Sequence, residues 1–284
     1  MKPLILLRGG GDLASGVALR LHRVGFQIVI TELEKPLAVR RTVSFSEAIY
    51  EGTQTVEGVT GRLVSPDQFQ GPLDAGEIPV IVDPDANIVR NQFLTSPRST
   101  FVVDARLLKS VHQPLDVNTP LHIGLGPGFT AGENCHAVIE TRRGHTLGRV
   151  YWNGSAQTDS GQPDGDPRRV LRAPHDGIVI AHANIGDYLK EGQLIAEIQS
   201  GLDTPSKSAR ATRPPKSKIT SPFKGILRGL IHPNIQVTAG MKIGDVDPRD
   251  DPALCTLVSD KALAVGGGVL EAVLSFMLNS RAGE

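Results

Sequence analysis

Apolar positions in the first half of the chain fall into short runs separated by longer mixed segments. The runs are Leu4–Leu7, Ile28–Ile30, Val80–Val82, Phe101–Val103 and His122–Leu125. Runs this short, rich in Val and Ile and spaced by helix-length segments, predict parallel strands joined by βαβ crossovers. Directly after the first run come Arg8-Gly9-Gly10-Gly11-Asp12, and then Leu13, Val17, Leu21 and Val24 at helical spacing. Ser44-Phe45-Ser46-Glu47 has the form of a capping box that opens a short helix. The N-terminal half is therefore expected to be an α/β unit with a Rossmann-like parallel sheet.

The second half changes period and repeats itself. Ala173-Pro174-His175-Asp176-Gly177-Ile178-Val179 through Ile195 aligns without a gap to Ser221-Pro222-Phe223-Lys224-Gly225-Ile226-Leu227 through Ile243, at an offset of 48 residues. Pro174, Gly177, Ile178, Gly192 and Ile195 meet Pro222, Gly225, Ile226, Gly240 and Ile243. A repeated β unit predicts two similar halves packed as a small sandwich. Between the halves, residues 199–218 are rich in Pro, Ser, Lys and Arg, which predicts a mobile basic loop. After the repeat, Cys255–Val258 is expected as a last strand and Ser259 as the cap of a helix to about Leu278. Gly266-Gly267-Gly268 inside that helix costs about 1 kcal/mol per residue relative to alanine, so close helix packing is expected there. The expected domains are 1–130 (nucleotide-binding), 131–168 (connecting β segment and loop), 169–250 (β domain with the 199–218 insert) and 251–284 (C-terminal helix).

Composition narrows the function classes. Thirty basic and thirty acidic residues among 284 leave no net charge, so nothing electrostatic calls for nucleic acid or a membrane surface. No apolar run reads as a membrane helix, and the N-terminal apolar stretch stops at Arg8, which is not a signal-peptide pattern. Two cysteines, Cys135 and Cys255, form no framework and fit free thiols in a cytoplasmic protein.

Gly9, Gly11 and Ala14 fit G-x-G-x-x-A, and Glu32 lies 21 residues past Gly11 at the end of the next apolar run. Glycine admits a phosphate close to the backbone, and the following helix offers free N–H groups and a partial positive charge. The candidate binding residues are therefore Gly9, Gly10, Gly11, Asp12 and Leu13, with Glu32 at a hydroxyl. A plain tight turn is the alternative. Asp83 and Asp104 end later strands as ribose or magnesium contacts, or as simple helix caps. Gly126 and Gly128, in Gly124–Gly128, form a second phosphate-facing loop or merely a sharp turn. Arg40 and Arg41 hold a phosphate through guanidinium forks, or are solvated. His136, Glu140 and His145 match no standard zinc motif and are expected as a polar pocket wall; no residue is assigned to a metal. No catalytic motif emerges. The expected cofactor is a nucleotide, NAD(P) or another, or a molybdopterin.

Two resemblances extend this reading. Ala173–Ala196 resembles one half of a biotinyl/lipoyl-type domain, but Lys207, Lys216 and Lys218 sit in no Met-Lys-Met attachment hairpin, so a scaffold or docking module is expected. Arg8–Gly16, Glu34-Lys35-Pro36, Arg40–Gly52, Val56-Glu57-Gly58-Val59, Leu125–Gly132, His136–Val150 and Ser259–Glu271 resemble the accessory proteins of selenium-dependent molybdenum hydroxylases, the YqeB-type family. That resemblance implies maturation of a molybdenum enzyme, an apo-hydroxylase partner, and no established catalytic residues; a homo-oligomer is also open. The alternative class is an NAD(P)-dependent oxidoreductase, with His122, His136 or Lys109 as proton donor.

Overall fold

The computed structural model describes residues 3–89, 99–108, 110, 119–158, 165–200, 216–249 and 251–281. The chain divides into two units: unit 1 comprises residues 1–36, 43–161 and 257–284, and unit 2 residues 37–42 and 162–256.

Unit 1 is built on strands β1 (Leu4–Arg8), β2 (Gln27–Glu32), β3 (Thr53–Val56), β4 (Val59–Leu63), β5 (Ile78–Val82), β6 (Thr100–Asp104), β7 (His122–Leu125), β8 (Thr130–Ala131), β9 (Ala137–Ile139), β10 (Val150–Tyr151) and β11 (Gly154–Ser155). Its helices are α1 (Asp12–Arg23), α2 (Ala48–Glu51), α3 (Gln70–Asp74) and α4 (Asp260–Arg281). All strands except β8 and β11 form one sheet, in the order β10-β9-β7-β6-β1-β2-β5-β4-β3. The five expected apolar runs are all in it. The purely parallel Rossmann-like sheet is nevertheless corrected to a mixed one, because β3 with β4 and β9 with β10 pair antiparallel at the two edges. The β3–β4 hairpin turns on Glu57 and Gly58, both at positive φ (44° and 83°), the geometry of a two-residue primed turn. The outermost strands, β3 (Thr-Gln-Thr-Val) and β10 (Val-Tyr), are too polar or too short for an apolar run to mark them.

Successive residues of the central strands divide between two faces. Ile5, Leu7, Ile28, Ile30, Phe101, Val103, Ile123 and Leu125 join α1 and α4 in the larger core. Leu4, Leu6, Val29, Ile81 and Val102 form a second apolar cluster on the opposite face. The close glycine packing expected within the last helix is present. A Cβ at Gly16 of α1 would lie 2.6 Å from the Ala262 backbone of α4, and one at Gly266 would lie 2.6 Å from the Gly16 carbonyl. Two further expectations are corrected. Residues 255–258 form no strand; Cys255 ends a short 3-10 turn, Pro252–Cys255. A segment long and apolar enough to cross a membrane does exist by length and composition, Asp260–Ser280 with a mean hydropathy of 1.6. Its Ala262, Val265, Val269, Ala272 and Val273 are fully buried in the core of unit 1.

Unit 2 contains β12 (Val170–Arg172), β13 (Gly177–Ala181), β14 (Tyr188–Leu189), β15 (Leu194–Gln199), β16 (Lys216–Thr220), β17 (Gly225–Leu230), β18 (Gln236–Val237) and β19 (Lys242–Asp247). The repeat appears in the strands: β13, β14 and β15 start 48 residues before β17, β18 and β19. The halves exchange strands. One sheet runs β12-β19-β17-β14 and the other β16-β15-β13-β18, so each central hairpin is flanked by strands of the other half. The matched glycines have one job, since a Cβ at Gly177 or Gly225 would strike the carbonyl of Gln199 or Asp247 respectively. The expected biotinyl/lipoyl-like barrel is corrected to this pair of four-stranded antiparallel sheets. Lys216 and Lys218 lie in β16, paired with Gln199 and Glu197, which is not a hairpin-tip attachment site. Lys207 lies outside the described residues.

Candidate functional site

The candidate site of unit 1 sits where β1 ends and α1 begins. Gly9 has φ +93°, a conformation that favours glycine, and its N–H donates to the Thr31 carbonyl (2.7 Å). Gly10 is packed tightly: a Cβ there would lie 2.9 Å from Ser46 N, while its carbonyl accepts from Ser46 N (2.9 Å). Gly11 differs from both. It is the N-cap of α1 at an ordinary φ of −67°, it supplies no side-chain cap, and a Cβ would meet nothing within 4 Å. Asp12 Oδ1 accepts from Leu13 N (2.9 Å), which uses one of the helix-terminal donors.

Glu32 turns inward to the loop. Its Oε2 accepts from Gly10 N (2.7 Å) and its Oε1 from Leu33 N (2.7 Å). Burial pushes its carboxyl above the usual range, against the pull of these two N–H groups. The acid expected at a ligand hydroxyl thus holds the glycine loop in shape. Asp83 takes the capping alternative, accepting from Ile88 N (2.9 Å) and Asn87 Nδ2 (3.2 Å). Asp104, 1% exposed, is paired with Arg8 (3.1 Å) and Arg106 (2.7 Å). Burial alone would raise its carboxyl, but the Arg106 hydrogen bonds and the charges of Arg106 and Arg8 outweigh it and hold the group below the usual range. Gly126 and Gly128 (φ +73° and +100°) make a tight turn after β7. Gly126 N donates to the Ile139 carbonyl, and the Gly128 carbonyl accepts from Asn134 Nδ2.

Arg40 and Arg41 are placed elsewhere. Both belong to unit 2, where Arg40 Nη2 donates to the Leu254 carbonyl (3.0 Å) and Arg41 Nε to the Leu230 carbonyl (2.8 Å). Their adjacency to the second strand in sequence does not put them in its structural unit. Glu140 is fully buried and clamps a loop, accepting from Arg142 N and Gln157 N (both 2.8 Å). His136 Nδ1 accepts from His122 N (2.8 Å). Lys109 lies outside the described residues. The sequence marks Arg8 only as the polar end of an apolar strand, and nothing in it singles out Arg106.

His122 is 5% exposed, and its ring meets Phe129 edge-on at 6.0 Å between centroids. Burial, partly opposed by Asp104, lowers its pKa to about 4 from 6.5. An unfolded chain then binds more protons than the folded one between about pH 6.5 and 4, so stability rises with pH across that window and is lost as pH falls. Urea denaturation of the native protein and His122→Phe should diverge there, with the variant's pH slope shallower by up to about one proton.

Comparisons with known proteins place the chain as follows. No family model matches it. Residues of the chain are 44% identical over 279 positions to the "Uncharacterized protein YqeB" of Escherichia coli K12, covering 96% of this chain and 48% of the relative. The chain thus spans about half the length of the curated relative it matches. A succinylglutamate desuccinylase of Silicibacter sp. is similar over 86% of this chain and 84% of its own, at 16% identity and a TM-score of 0.25. An aspartoacylase family protein of Mesorhizobium loti is similar over 88% and 87%, at 12% identity and 0.28. Likenesses at this level transfer no activity to this chain. The matches do not carry the expected assignment. The YqeB relative carries no function in its name, and the solved structures are named for desuccinylase and aspartoacylase proteins, not for accessory factors of a selenium-dependent molybdenum hydroxylase. The hydroxylase-maturation role and its apo-hydroxylase partner are corrected accordingly.

Proposed function

We propose that unit 1 is a nucleotide-binding module that receives a ligand phosphate at Gly11 and the N-terminus of α1. The observation that carries this reading is the contrast within the glycine triplet. Gly9 and Gly10 are glycine because the protein's own backbone crowds them, whereas Gly11 faces open space at an ordinary φ. A residue whose side chain has room, yet is absent, leaves the helix N-terminus open to an anion. The carboxyl ends of the parallel strands are where ligands sit in open α/β sheets. Cytoplasmic location belongs to the same proposal, supported by two free, buried cysteines.

Gly11→Val tests the reading without a steric clash at the mutated Cβ. The native protein should show a thermal shift with at least one of NAD, NADP, ATP and CTP, since binding stabilises by RT ln(1 + [L]/Kd), about 2.7 kcal/mol at 100 times Kd. The valine variant should stay folded, with at most a small loss from the poorer N-cap residue, and lose affinity by about 2 kcal/mol or more, roughly thirty-fold. No shift with any of the four, or equal calorimetric affinity in the folded variant, would overturn the proposal.

A further inference from the structure

The two halves of the repeat in unit 2 differ in chemistry at one equivalent place. The 48-residue offset that matches β15 to β19 also matches β12 to β16, since Val170 pairs with Asp245 as Lys218 pairs with Glu197. On this offset Ser217 corresponds to Arg169, and His175 to Phe223. Arg169 is drawn to Asp245 (3.1 Å), and Phe223 lies under the Arg168 guanidinium, 5.8 Å from the ring centre. Ser217 and His175 instead bond to each other, with His175 Nε2 2.9 Å from Ser217 Oγ. One half of the repeat therefore folds without a serine–histidine pair, so the fold of a half does not account for the pair.

The pair has the polarity of a nucleophile and its base. His175 Nδ1 lies 2.8 Å from the Asp176 carbonyl, which can only accept, so Nδ1 carries the proton of the neutral ring. Nε2 is then the acceptor and the Ser217 hydroxyl the donor. Ser200 Oγ, 3.4 Å from Nδ1, gives the ring a further polar neighbour. Alternation along β16 puts Ser217 on the face of the buried Ile219, with Lys216 and Lys218 on the other. Ser217 and His175 are both half-buried, so neither is sealed from solvent. A hydroxyl, a base within hydrogen-bond reach and a third group that orients the base together make a serine reactive. A backbone carbonyl orients the ring but brings no full negative charge to an imidazolium, as a carboxylate would. The pair therefore suits substrates whose leaving group needs little help.

We propose that Ser217 is a nucleophile, activated by His175, that accepts the acyl group of a small activated ester. Ser217 Oγ forms a bond to the carbonyl carbon while its proton passes to His175 Nε2. The bond from that carbon to the leaving oxygen then breaks, and the departing oxygen takes the proton from Nε2. The products are a Ser217 ester and the free alcohol, with the imidazole again neutral. Water attacking the Ser217 ester, with the same ring as base, releases the carboxylic acid and restores the serine. Ser217, His175, Asp176 and Ser200 all belong to unit 2, so this site is independent of the nucleotide reading of unit 1.

The test uses the full chain with two reagents, p-nitrophenyl acetate and an alkyl fluorophosphonate, which loses fluoride to leave a stable phosphonyl–serine bond. Absorbance follows nitrophenolate release, and peptide mass spectrometry locates the modified residue. At least one reagent should modify Ser217. The rate of that modification should fall by about tenfold or more in His175→Phe, because a positioned base contributes at least that much. The variant places at position 175 the residue type that the other half already carries at Phe223. If circular dichroism shows that His175→Phe fails to fold, His175→Gln decides. No adduct on Ser217 with either reagent overturns the inference, and an acetyl group found only on lysine counts as that absence. Labelling of Ser217 at the native rate in the folded His175 variant also overturns it. Either result leaves the pair as a hydrogen bond between β16 and the loop before β13.

Discussion

Gly16→Leu is expected to destabilise the protein by about 3 kcal/mol or more, the upper range for overpacking a core. The reason is that α1 and α4 touch backbone to backbone. A Cβ at Gly16 falls 2.6 Å from both the carbonyl carbon and oxygen of Ala262, and no flexible side chain stands between them to yield. Gly268 is under the same constraint against the Gly148 carbonyl. Gly267, between two crowded glycines, meets nothing within 4 Å, so Gly267→Ala should leave packing unchanged and gain up to about 1 kcal/mol of helix propensity. Urea denaturation followed by circular dichroism checks both. A neutral Gly16→Leu, or a Gly267→Ala as damaging as Gly16→Leu, would show that the helices are not in this contact.

Asp245→Ala is expected to cost about 3–5 kcal/mol, the range for removing one partner of a buried ion pair. Asp245 and Asp247 are each 1% exposed and lie two residues apart on β19. Arg169 Nε meets Asp245 at 3.1 Å and Arg228 Nε meets it at 3.0 Å. Arg228 Nη1 and Arg249 Nη2 reach Asp247 at 3.0 and 2.7 Å. Losing Asp245 leaves Arg169 and Arg228, both mostly covered, to share Asp247, which Arg249 already engages. The same network fixes an acid response. Burial opposes ionisation of Asp247, yet hydrogen bonds from Arg249 and the charges of Arg228 and Arg249 hold its pKa at about 2, below 3.8. The folded state binds fewer protons than the unfolded one between those values. This stability is therefore complete above about pH 4 and lost as pH falls towards 2. Denaturant titrations at pH 5, 4, 3 and 2 should show the loss concentrated in the lowest steps. A stability independent of pH below 4 would remove Asp247 as its source. In the first half of the repeat the equivalent positions are Glu197 and Gln199, and Glu197 pairs with Lys216 and His182, both more exposed. The network is thus a property of one half only.

The parts of this protein that follow from local chemistry were readable in its sequence. Apolar runs of Val, Ile and Leu bounded by glycine or acid located the five inner strands, because a strand buried on both faces has no polar positions to interrupt it. The 48-residue repeat gave the correspondence of β13–β15 with β17–β19, and the glycine run in α4 announced close packing before its partner was known. Tertiary structure decided what no local signal encodes. The edge strands of the sheet carry too few apolar residues to stand out, and they exist because a neighbouring strand offers unpaired backbone groups. Strand exchange between the repeat halves depends on which partner each short strand finds, and the halves are too alike in sequence to show it. Arg40 and Arg41 lie just beyond the second strand along the chain but belong to the other unit. Glu32 occupies the position expected of a ligand contact and is drawn instead to Gly10 N, because a buried N–H must be satisfied by whatever acceptor lies nearest in space. Arg8 and His122 are 114 residues apart and share a sheet face only through the parallel register of β1, β6 and β7.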